Sequence, residues 1–169
     1  MDEIATLIEP HIPALRRYAW ALLRNDERAD DLVQDCLERA ISRWPLRRRD
    51  GDLRAWLFAI LRNRFLSGRR QDARRGLHVP VEEVADLAEP HAAADRGAML
   101  RDVLAGLDTL PEDQRSLLLL VAVEDLSYED AARVTGVPVG TVMSRLSRGR
   151  ARLRAFVESG PPARLRSVT

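Results

Sequence analysis

The sequence predicts an all-α fold of two small helical domains joined by a linker. Apolar residues recur at steps of three and four in several long segments, which is the spacing of an amphipathic helix. Strand-like patterns are scarce, and a proline-containing stretch without clear periodicity divides the chain near its middle. With 169 residues, 46% of them hydrophobic, the chain is long enough for two modest cores.

The N-terminal domain is predicted to span residues 1–75 and to contain three helices. The first covers about Ile4 to Leu23, and the third about Asp52 to Arg70. Between them, "DERADDLVQDCLERAISRW" has a clear amphipathic pattern, for which Asp26 is the predicted N-cap. The loop "PLRRRDGD" then follows, because proline, aspartate and glycine favour turns. Three such helices can close one small core.

A linker is predicted over residues 76–95, where prolines interrupt the helical pattern. Helical spacing resumes near Met99 in a second domain, 96–160, which is followed by a tail at 161–169. Pro111 is predicted to lie in the first turn of that domain's next helix. The linker predicts two domains that move relative to each other in the free protein.

The stretch "LSYEDAARVTGVPVGTVMSRLSRGRARLR" predicts a helix-turn-helix. Ser127 and Asp130 form a start that resembles a capping box, and Gly136 occupies the position of a sharp turn. The second helix is predicted to begin near Val139. Its pattern then places one apolar stripe on the core: Val142, Leu146, Gly149, Leu153 and Phe156.

The opposite face of that second helix is suited to a groove of DNA. It carries Ser144, Ser147, Arg148 and Ala151, whose mostly small side chains allow close approach. Arg148 is predicted to contact a base edge, while the flanking Arg145 and Arg152 are predicted to contact phosphates. Arg150 projects near the core edge, so we expect it to pair with an acidic neighbour instead.

The net charge of +1 conceals a strong partition along the chain. Net charge is minus 4 over residues 1–42, plus 8 over 43–75, minus 10 over 76–131 and plus 7 over 132–169. Two basic blocks indicate two contacts with a polyanion, and the acidic blocks either face solvent or meet a basic protein. All 27 basic residues are arginine, which suits bidentate contacts with phosphate.

Two helices of the N-terminal domain carry candidate binding residues. One helix places a compact acidic face opposite its apolar stripe: Asp31, Gln34, Asp35 and Glu38. Such a face is either solvated or a surface for a basic protein, and the basic blocks favour the second interpretation. The next helix, "DLRAWLFAILRNRFLSGRR", combines aromatic residues with arginines, which can stack and hold unpaired bases. Most of its aromatics are predicted to be core, and Asn63 is a candidate for reading a base.

These segments together resemble a bacterial RNA polymerase sigma factor of the extracytoplasmic-function (group IV) family. "DDLVQDCLERA" is similar to the family's polymerase-binding helix, and "AWLFAILRNRFLSGRR" to its minus-10 helix. The stretch from "LPEDQR" to "SRGRARLR" is similar to its minus-35 domain. The three motifs occur in the family's order, although Met143 stands where the family often has a basic residue and Gly149 replaces a usual alanine.

The resemblance implies a cytoplasmic initiation factor with three sets of binding residues. Core polymerase would bind Asp31, Gln34, Asp35 and Glu38. Minus-10 DNA would bind Arg49, Asp50, Gly51, Asp52, Phe58, Asn63, Arg64 and Arg70, with Trp56 supporting the fold there. Minus-35 DNA would bind Thr141, Ser144, Arg145, Ser147, Arg148 and Arg152. An anti-sigma factor is a further expected partner.

Other classes of function find little support in the sequence. The histidines His11, His78 and His91 lie apart and form no recognisable catalytic set, so neither catalysis nor a cofactor is predicted. Cys36 is expected to be a buried apolar residue, and no signal peptide, membrane segment or metal site is expected. The alternative is a helix-turn-helix regulator that binds duplex DNA without polymerase, which leaves the acidic face without a role.

Overall fold

The computed structural model describes residues 2–76 and 91–159, and the regular elements in these residues are all helical. The all-α prediction is therefore confirmed. The helices are α1 (Asp2–Ile8), α2 (Ile12–Leu23), α3 (Asp26–Arg43), α4 (Leu53–Arg74), α5 (His91–Asp108), α6 (Glu112–Leu118), α7 (Tyr128–Thr135) and α8 (Val139–Ser159). Short 3-10 turns follow α1 and α3, and a π-helical turn at Leu119–Val123 continues α6.

The start of the chain differs from the single helix predicted over Ile4 to Leu23. A 3-10 turn at Glu9–His11 separates α1 from α2. Pro10 and Pro13 lie at this break, since proline has no backbone N–H to donate and its ring clashes with the preceding turn. Arg24 is the C-cap of helix α2; its backbone is left-handed (φ 53°), and its N–H donates to the Trp20 carbonyl at 2.7 Å.

Helix α3 has the predicted amphipathic pattern, but its N-cap is Asn25 rather than Asp26. The Asn25 side chain accepts a hydrogen bond from the Arg28 N–H at 2.8 Å, and Asp26 becomes the first helical residue. Cys36 is buried as predicted and lies 3.5 Å from the Leu57 carbonyl oxygen. Burial raises the pKa of the Cys36 thiol to about 12, which keeps the thiol protonated.

Helix α4 begins at Leu53 and is capped by Asp52, where the sequence predicted its start. The Asp52 carboxylate accepts a hydrogen bond from the Ala55 N–H at 2.8 Å. The helix then continues to Arg74, four residues beyond its predicted end. Its buried face packs on α3 and α2 through Leu57, Phe58, Leu61 and Phe65.

The predicted linker contains the start of a helix. Helix α5 begins at His91, so residues 91–95 are helical, consistent with the strong helix propensity of "HAAAD". Residues 77–90 and the tail from 160 lie outside the described residues. Pro111 is the N-cap of α6, one position before the first turn in which it was predicted.

The helix-turn-helix prediction is confirmed, although Leu153 and Phe156 of the predicted apolar stripe are only half-buried. The Ser127 hydroxyl accepts a hydrogen bond from the Asp130 N–H at 3.0 Å, which caps α7. Gly136 ends α7 in the left-handed conformation, with φ of 70°, which favours glycine. Helix α8 follows, and Val142, Leu146 and Gly149 are buried on its predicted apolar stripe.

The N-terminal group of helices (α1–α4) packs directly on the C-terminal group (α5–α8). Helix α4 contacts α7, and α2 contacts the π-helical turn after α6. Buried apolar residues of the two groups belong to one cluster. Buried polar side chains also join the two groups, as Glu124 does with Arg17 and Ser116 with Arg62. The relative motion of the two domains in the free protein stays a prediction. Among the described residues, no helix has both the length and the apolar character needed to cross a membrane.

Candidate protein and nucleic-acid interfaces

The acidic face of α3 is accessible. Asp31, Gln34, Asp35 and Glu38 are all exposed, and the Gln34 amide donates a hydrogen bond to Glu38 at 3.1 Å. Asp31 has no ion-pair partner within the described parts of the chain. Its carboxylate is therefore available to a cation on another molecule.

Asp35 connects this acidic face to α4. Its carboxylate pairs with the Arg64 guanidinium, and Asp31, Asp35 and Arg64 line one shallow cleft between α3 and α4. Arg64 was predicted to contact DNA, but here it neutralises part of the acidic face. The sequence shows two separated motifs and carries no signal that these two residues meet.

An open cleft of about 560 Å³ lies beside the loop that precedes α4. Three predicted residues, Asp50, Gly51 and Asp52, line it together with Trp56. The Trp56 ring packs edge-on against Trp44, with ring centroids 6.1 Å apart. An aromatic ring such as that of Trp56, beside polar and charged groups, is suited to stacking on an unpaired base.

Two arginines of the loop line this cleft. Arg47 and Arg48 line it, whereas the predicted Arg49 does not. Arg47 donates a hydrogen bond to the Gly51 carbonyl at 3.2 Å and lies over the Trp44 ring. The run of three arginines indicated basic character in the sequence, but the loop conformation selects which of them face the cleft. Arg133 of α7 also lines the cleft, and only the packing of the two helix groups brings it there.

Phe58, a predicted minus-10 contact, is fully buried in this structure. Its side chain is 0% exposed and its ring packs edge-on against Tyr18, with centroids 5.3 Å apart. A base cannot reach a ring in this position. Asn63 and Arg70 are exposed on α4, but neither lines the cleft. The predicted minus-10 residues therefore do not form one contiguous site in this structure.

The outward face of α8 carries the predicted DNA-contact residues. Ser147 and Arg148 are exposed, whereas Thr141 and Ser144 are half-buried. The Ser144 hydroxyl donates a hydrogen bond to the Thr141 carbonyl at 3.1 Å. Arg148 has no ion-pair partner in the part of the chain that the structure describes. Its guanidinium is available to a base edge or a phosphate.

Arg145 of α8 forms an ion pair in this structure, whereas Arg150 does not. Arg145 was expected on a phosphate, but its Nε lies 3.1 Å from an Asp113 carboxylate oxygen. Arg150 was expected to pair with an acid, but it is exposed and has no ion pair among the described residues. The helical projection of α8 placed Arg150 near the edge of the core, where an acidic partner was expected. It could not show that the acidic residue supplied by α6, Asp113, lies beside Arg145 instead.

Family models match both groups of helices. Residues 8–62 match the sigma2 domain of PhyR, and residues 100–153 match region 4 of sigma-70. The chain is 38% identical to the sigma factor EcfG of Rhodopseudomonas palustris, over 99% of this chain and 95% of that protein. The chain belongs to the extracytoplasmic-function family of RNA polymerase sigma factors.

Other sigma factors support the same assignment. The chain is 32% identical to SigE of Mycolicibacterium smegmatis, over 89% of this chain and 60% of that protein. Among solved structures, it resembles the Bartonella quintana sigma factor RpoE in complex with the anti-sigma factor NepR. That similarity has a TM-score of 0.80 at 32% identity and covers 94% of this chain and 98% of the other. Coverage of this extent includes both groups of helices.

Proposed function

We propose that this sigma factor binds core RNA polymerase through the acidic face of α3 and contacts minus-35 DNA through α8. The observation that carries the proposal is the placement of an exposed acidic face and an exposed basic face on different helix groups. Opposite charges on two surfaces suit two partners, one basic and one anionic. Such a factor positions polymerase at promoters in the cytoplasm and performs no chemistry itself.

The polymerase surface is tested by charge reversal at Asp31. This residue is the clearest target because its carboxylate has no ion-pair partner in the described parts of the chain. We expect Asp31→Arg to weaken binding to core polymerase, and addition of Asp35→Arg to abolish it. The measurement is an equilibrium titration of labelled sigma factor with core polymerase.

A matched control reverses two acidic residues elsewhere. Glu3 and Glu9 are exposed at the start of the chain, outside α3. Glu3→Arg with Glu9→Arg changes the net charge by the same amount as the double variant of α3. Equal weakening by both double variants would show a general charge effect and would contradict a specific surface on α3.

The minus-10 element is proposed to bind at the cleft beside Trp56. The Trp56 ring is suited to stacking on an unpaired base, and the nearby Arg47 and Arg48 are suited to its phosphate backbone. We expect the holoenzyme to bind single-stranded minus-10 DNA more tightly than a scrambled strand. Trp56→Ala should remove that preference, whereas Asn63→Ala tests a base contact outside the cleft. Equal binding of the two strands by the unmodified holoenzyme would refute capture in this cleft.

We also propose control by an anti-sigma factor. Two solved relatives support this: RpoE of Bartonella quintana in complex with NepR, and CnrH in complex with the cytosolic domain of CnrY. Co-purification of the chain from its native host, followed by competition between the recovered protein and core polymerase, tests the proposal. A recovered protein that binds without displacing polymerase would contradict it.

A second candidate is a sigma-like protein that binds an anti-sigma factor but not polymerase. The match of residues 8–62 to the sigma2 domain of PhyR favours it, since PhyR is named an anti-anti-sigma factor. The exposed arginines of α8 favour the sigma factor, because such a mimic needs no DNA-binding face. The polymerase titration separates this candidate from the sigma factor.

The helix-turn-helix regulator considered from the sequence would bind promoter DNA without polymerase. Protection of promoter DNA by the purified chain alone would favour that alternative.

A further inference from the structure

The acidic face of α3 borders a cleft whose other wall is α4. This cleft has a volume of about 290 Å³, and Asp31 and Asp35 of α3 line it opposite Arg64 of α4. The two aspartates lie four residues apart, so they share one face of the helix. Both side chains are exposed. A cation on another molecule can therefore approach both carboxylates from the same side.

The two carboxylates differ in their partners within the chain. An Arg64 Nη2 atom donates a hydrogen bond to the Asp35 carboxylate, and the two side chains are 42% and 49% exposed. Asp31 forms no ion pair with residues 2–76 or 91–159. In the free chain, Asp35 is thus already bound to the kind of group that a basic partner would supply, whereas Asp31 is not.

Two other arginines lie near Asp35 but do not pair with it. Arg28 also lines the cleft, where its guanidinium lies 3.8 Å from the Asp72 carboxylate. Arg39 lies one turn after Asp35 on α3 and forms no ion pair in the part of the chain that the structure describes. Arg64 is therefore the residue that neutralises Asp35 in this structure.

A glycine leaves this ion pair open to other molecules. Gly68 lies one turn after Arg64 on α4 and lines the same cleft. On a helix, a side chain covers the turn on the N-terminal side of its own Cα atom. A Cβ atom on Gly68 would meet nothing within 4 Å, so the space beside the Arg64 turn is open. A partner's side chain can reach Asp35 there, and the Arg64 guanidinium has room to move away.

An ion pair in this position is weak enough to exchange. Because water solvates both charges, a pair between exposed side chains changes an equilibrium constant by only about 1.5-fold to fivefold. A partner's cation nevertheless competes with Arg64 for Asp35, and the two like charges repel each other at short range. Arg64 therefore lowers the affinity of the acidic face for a basic partner.

We propose that Arg64 is a displaceable partner of Asp35. It neutralises Asp35 in the free chain, and a cationic side chain of core polymerase takes its place when the two proteins bind. This inference rests on the proposed binding of polymerase to α3. It assigns different roles to the two aspartates, because Asp31 is available at once and Asp35 only after the exchange.

The first test removes the charge of Arg64. Arg64→Gln cannot neutralise Asp35, and the exposure of the side chain means that the change opens no cavity in the core. Arg74→Gln is the matched control, because Arg74 is an exposed arginine of the same helix. It lies ten residues further along α4, at about 15 Å, which exceeds the Debye length of about 8 Å at physiological salt.

Affinity is measured by equilibrium titration of the labelled full chain with core polymerase, and circular dichroism compares the helical content of the variants. We expect Arg64→Gln to bind about twofold to fivefold more tightly than the unmodified chain. Arg74→Gln should bind like the unmodified chain. Unchanged or weaker binding by Arg64→Gln, with its helical content intact, would overturn the proposal. An equal gain in both variants would do the same, since it would show a general charge effect.

The second test asks whether Arg64 acts through Asp35. Asp35→Asn is introduced into the unmodified chain and into Arg64→Gln, and the two losses of affinity are compared. The loss should be about twofold to fivefold larger in the Arg64→Gln background, where Asp35 is free to bind the partner. Asp31→Asn should cause nearly the same loss in both backgrounds, because Asp31 is not paired with Arg64.

Two results of this comparison would contradict displacement. Equal losses for Asp35→Asn in both backgrounds would show that Arg64 acts independently of Asp35. A smaller loss in the Arg64→Gln background would show that Arg64 holds the Asp35 carboxylate in position for the partner.

The same titrations separate a failure of this inference from a failure of the proposed function. If Asp31→Arg weakens polymerase binding but Arg64→Gln leaves it unchanged, the polymerase surface stands and only the exchange at Asp35 is refuted. If no form of the chain binds polymerase, the proposed function is refuted and the exchange with it.

Discussion

Helices α4 and α8 are both rich in arginine, with six arginines in α4 and five in α8. In α4, Arg54, Arg62 and Arg69 bind groups of the other half of the molecule, and Arg64 binds Asp35 of α3. In α8, four arginines are exposed without an ion pair to any described residue: Arg148, Arg150, Arg152 and Arg154. Of these, Arg152 donates a hydrogen bond to the Gln114 side chain at 3.5 Å. The arginines of α4 mainly organise the fold, while those of α8 remain available to an anion.

The difference shows that charge along a sequence does not identify its partner. The basic block around α4 and the acidic block around α6 both suggested external partners. Several of these charges instead neutralise each other across the interface between the two helix groups, as Glu124 and Glu112 do. The basic block at the C-terminus has few acids nearby, so its charge remains on the surface.

The largest expected difference between α4 and α8 is in the free energy of unfolding when an apolar residue of each helix is replaced. Phe58→Ala in α4 should lower the free energy of unfolding by about 3–5 kcal/mol, because it leaves a cavity in the core. Met143→Ala in α8 should change it by no more than about 0.5 kcal/mol, since Met143 is 54% exposed. Urea denaturation followed by circular dichroism measures both. A small effect at Phe58 would show that its ring does not stabilise the core.

The next effect concerns specific DNA recognition by α8. If Arg148 contacts a base edge, Arg148→Ala should weaken holoenzyme binding to a minus-35 duplex by about 1–3 kcal/mol. Arg70→Ala in α4 is the control, since Arg70 is also exposed but lies on the other arginine-rich helix. Competition binding with wild-type and substituted duplexes measures the effect. If affinity falls equally for both duplexes, Arg148 contacts only phosphate.

A smaller effect separates paired from unpaired arginines within α8. If Arg150 contacts one phosphate, Arg150→Gln should reduce the magnitude of the slope of log affinity against log salt concentration by about 0.9. Arg145→Gln should lower it less, because Arg145 is already paired with Asp113. Titrations at several salt concentrations measure both slopes. The reverse order would show that Arg145 leaves Asp113 when DNA binds.

Local signals predicted much of the fold. The cap at Ser127, the turn at Gly136 and the apolar stripe of α8 each depend on residues close in sequence, and each is confirmed. The break before α2 was missed although Pro10 and Pro13 were visible, because the apolar periodicity continues across it. The cap of α3 was placed one residue late, within the usual error for a helix boundary.

Long-range contacts could not be predicted from the sequence. Arg64 lies near Asp35, and Arg62 near Ser116, only because α4 packs on α3 and α6. Residues 29 and 54 positions apart give no periodic signal of such a meeting. The exposed acidic face of α3 was predictable because its four residues share one face of a single helix. The cleft beside Trp56 was only partly predictable because it combines a loop, α4 and α7.

The smallest expected effect compares the glycines Gly68 in α4 and Gly149 in α8. A Cβ atom on Gly68 would meet nothing within 4 Å, whereas one on Gly149 would lie 3.1 Å from a Leu118 methyl group and 3.3 Å from the Gln114 Cβ. Gly68→Ala should therefore stabilise the protein by up to about 1 kcal/mol through helix propensity alone.

For Gly149→Ala, crowding against α6 offsets the same gain in helix propensity, so its net effect should be near zero or destabilising. Parallel urea titrations of both variants measure the difference. A smaller or opposite effect at Gly149 would explain the glycine in α8 by the close packing of that helix on α6. Equal stabilisation by both alanines would show that α6 can move aside, and that packing does not require a glycine at position 149.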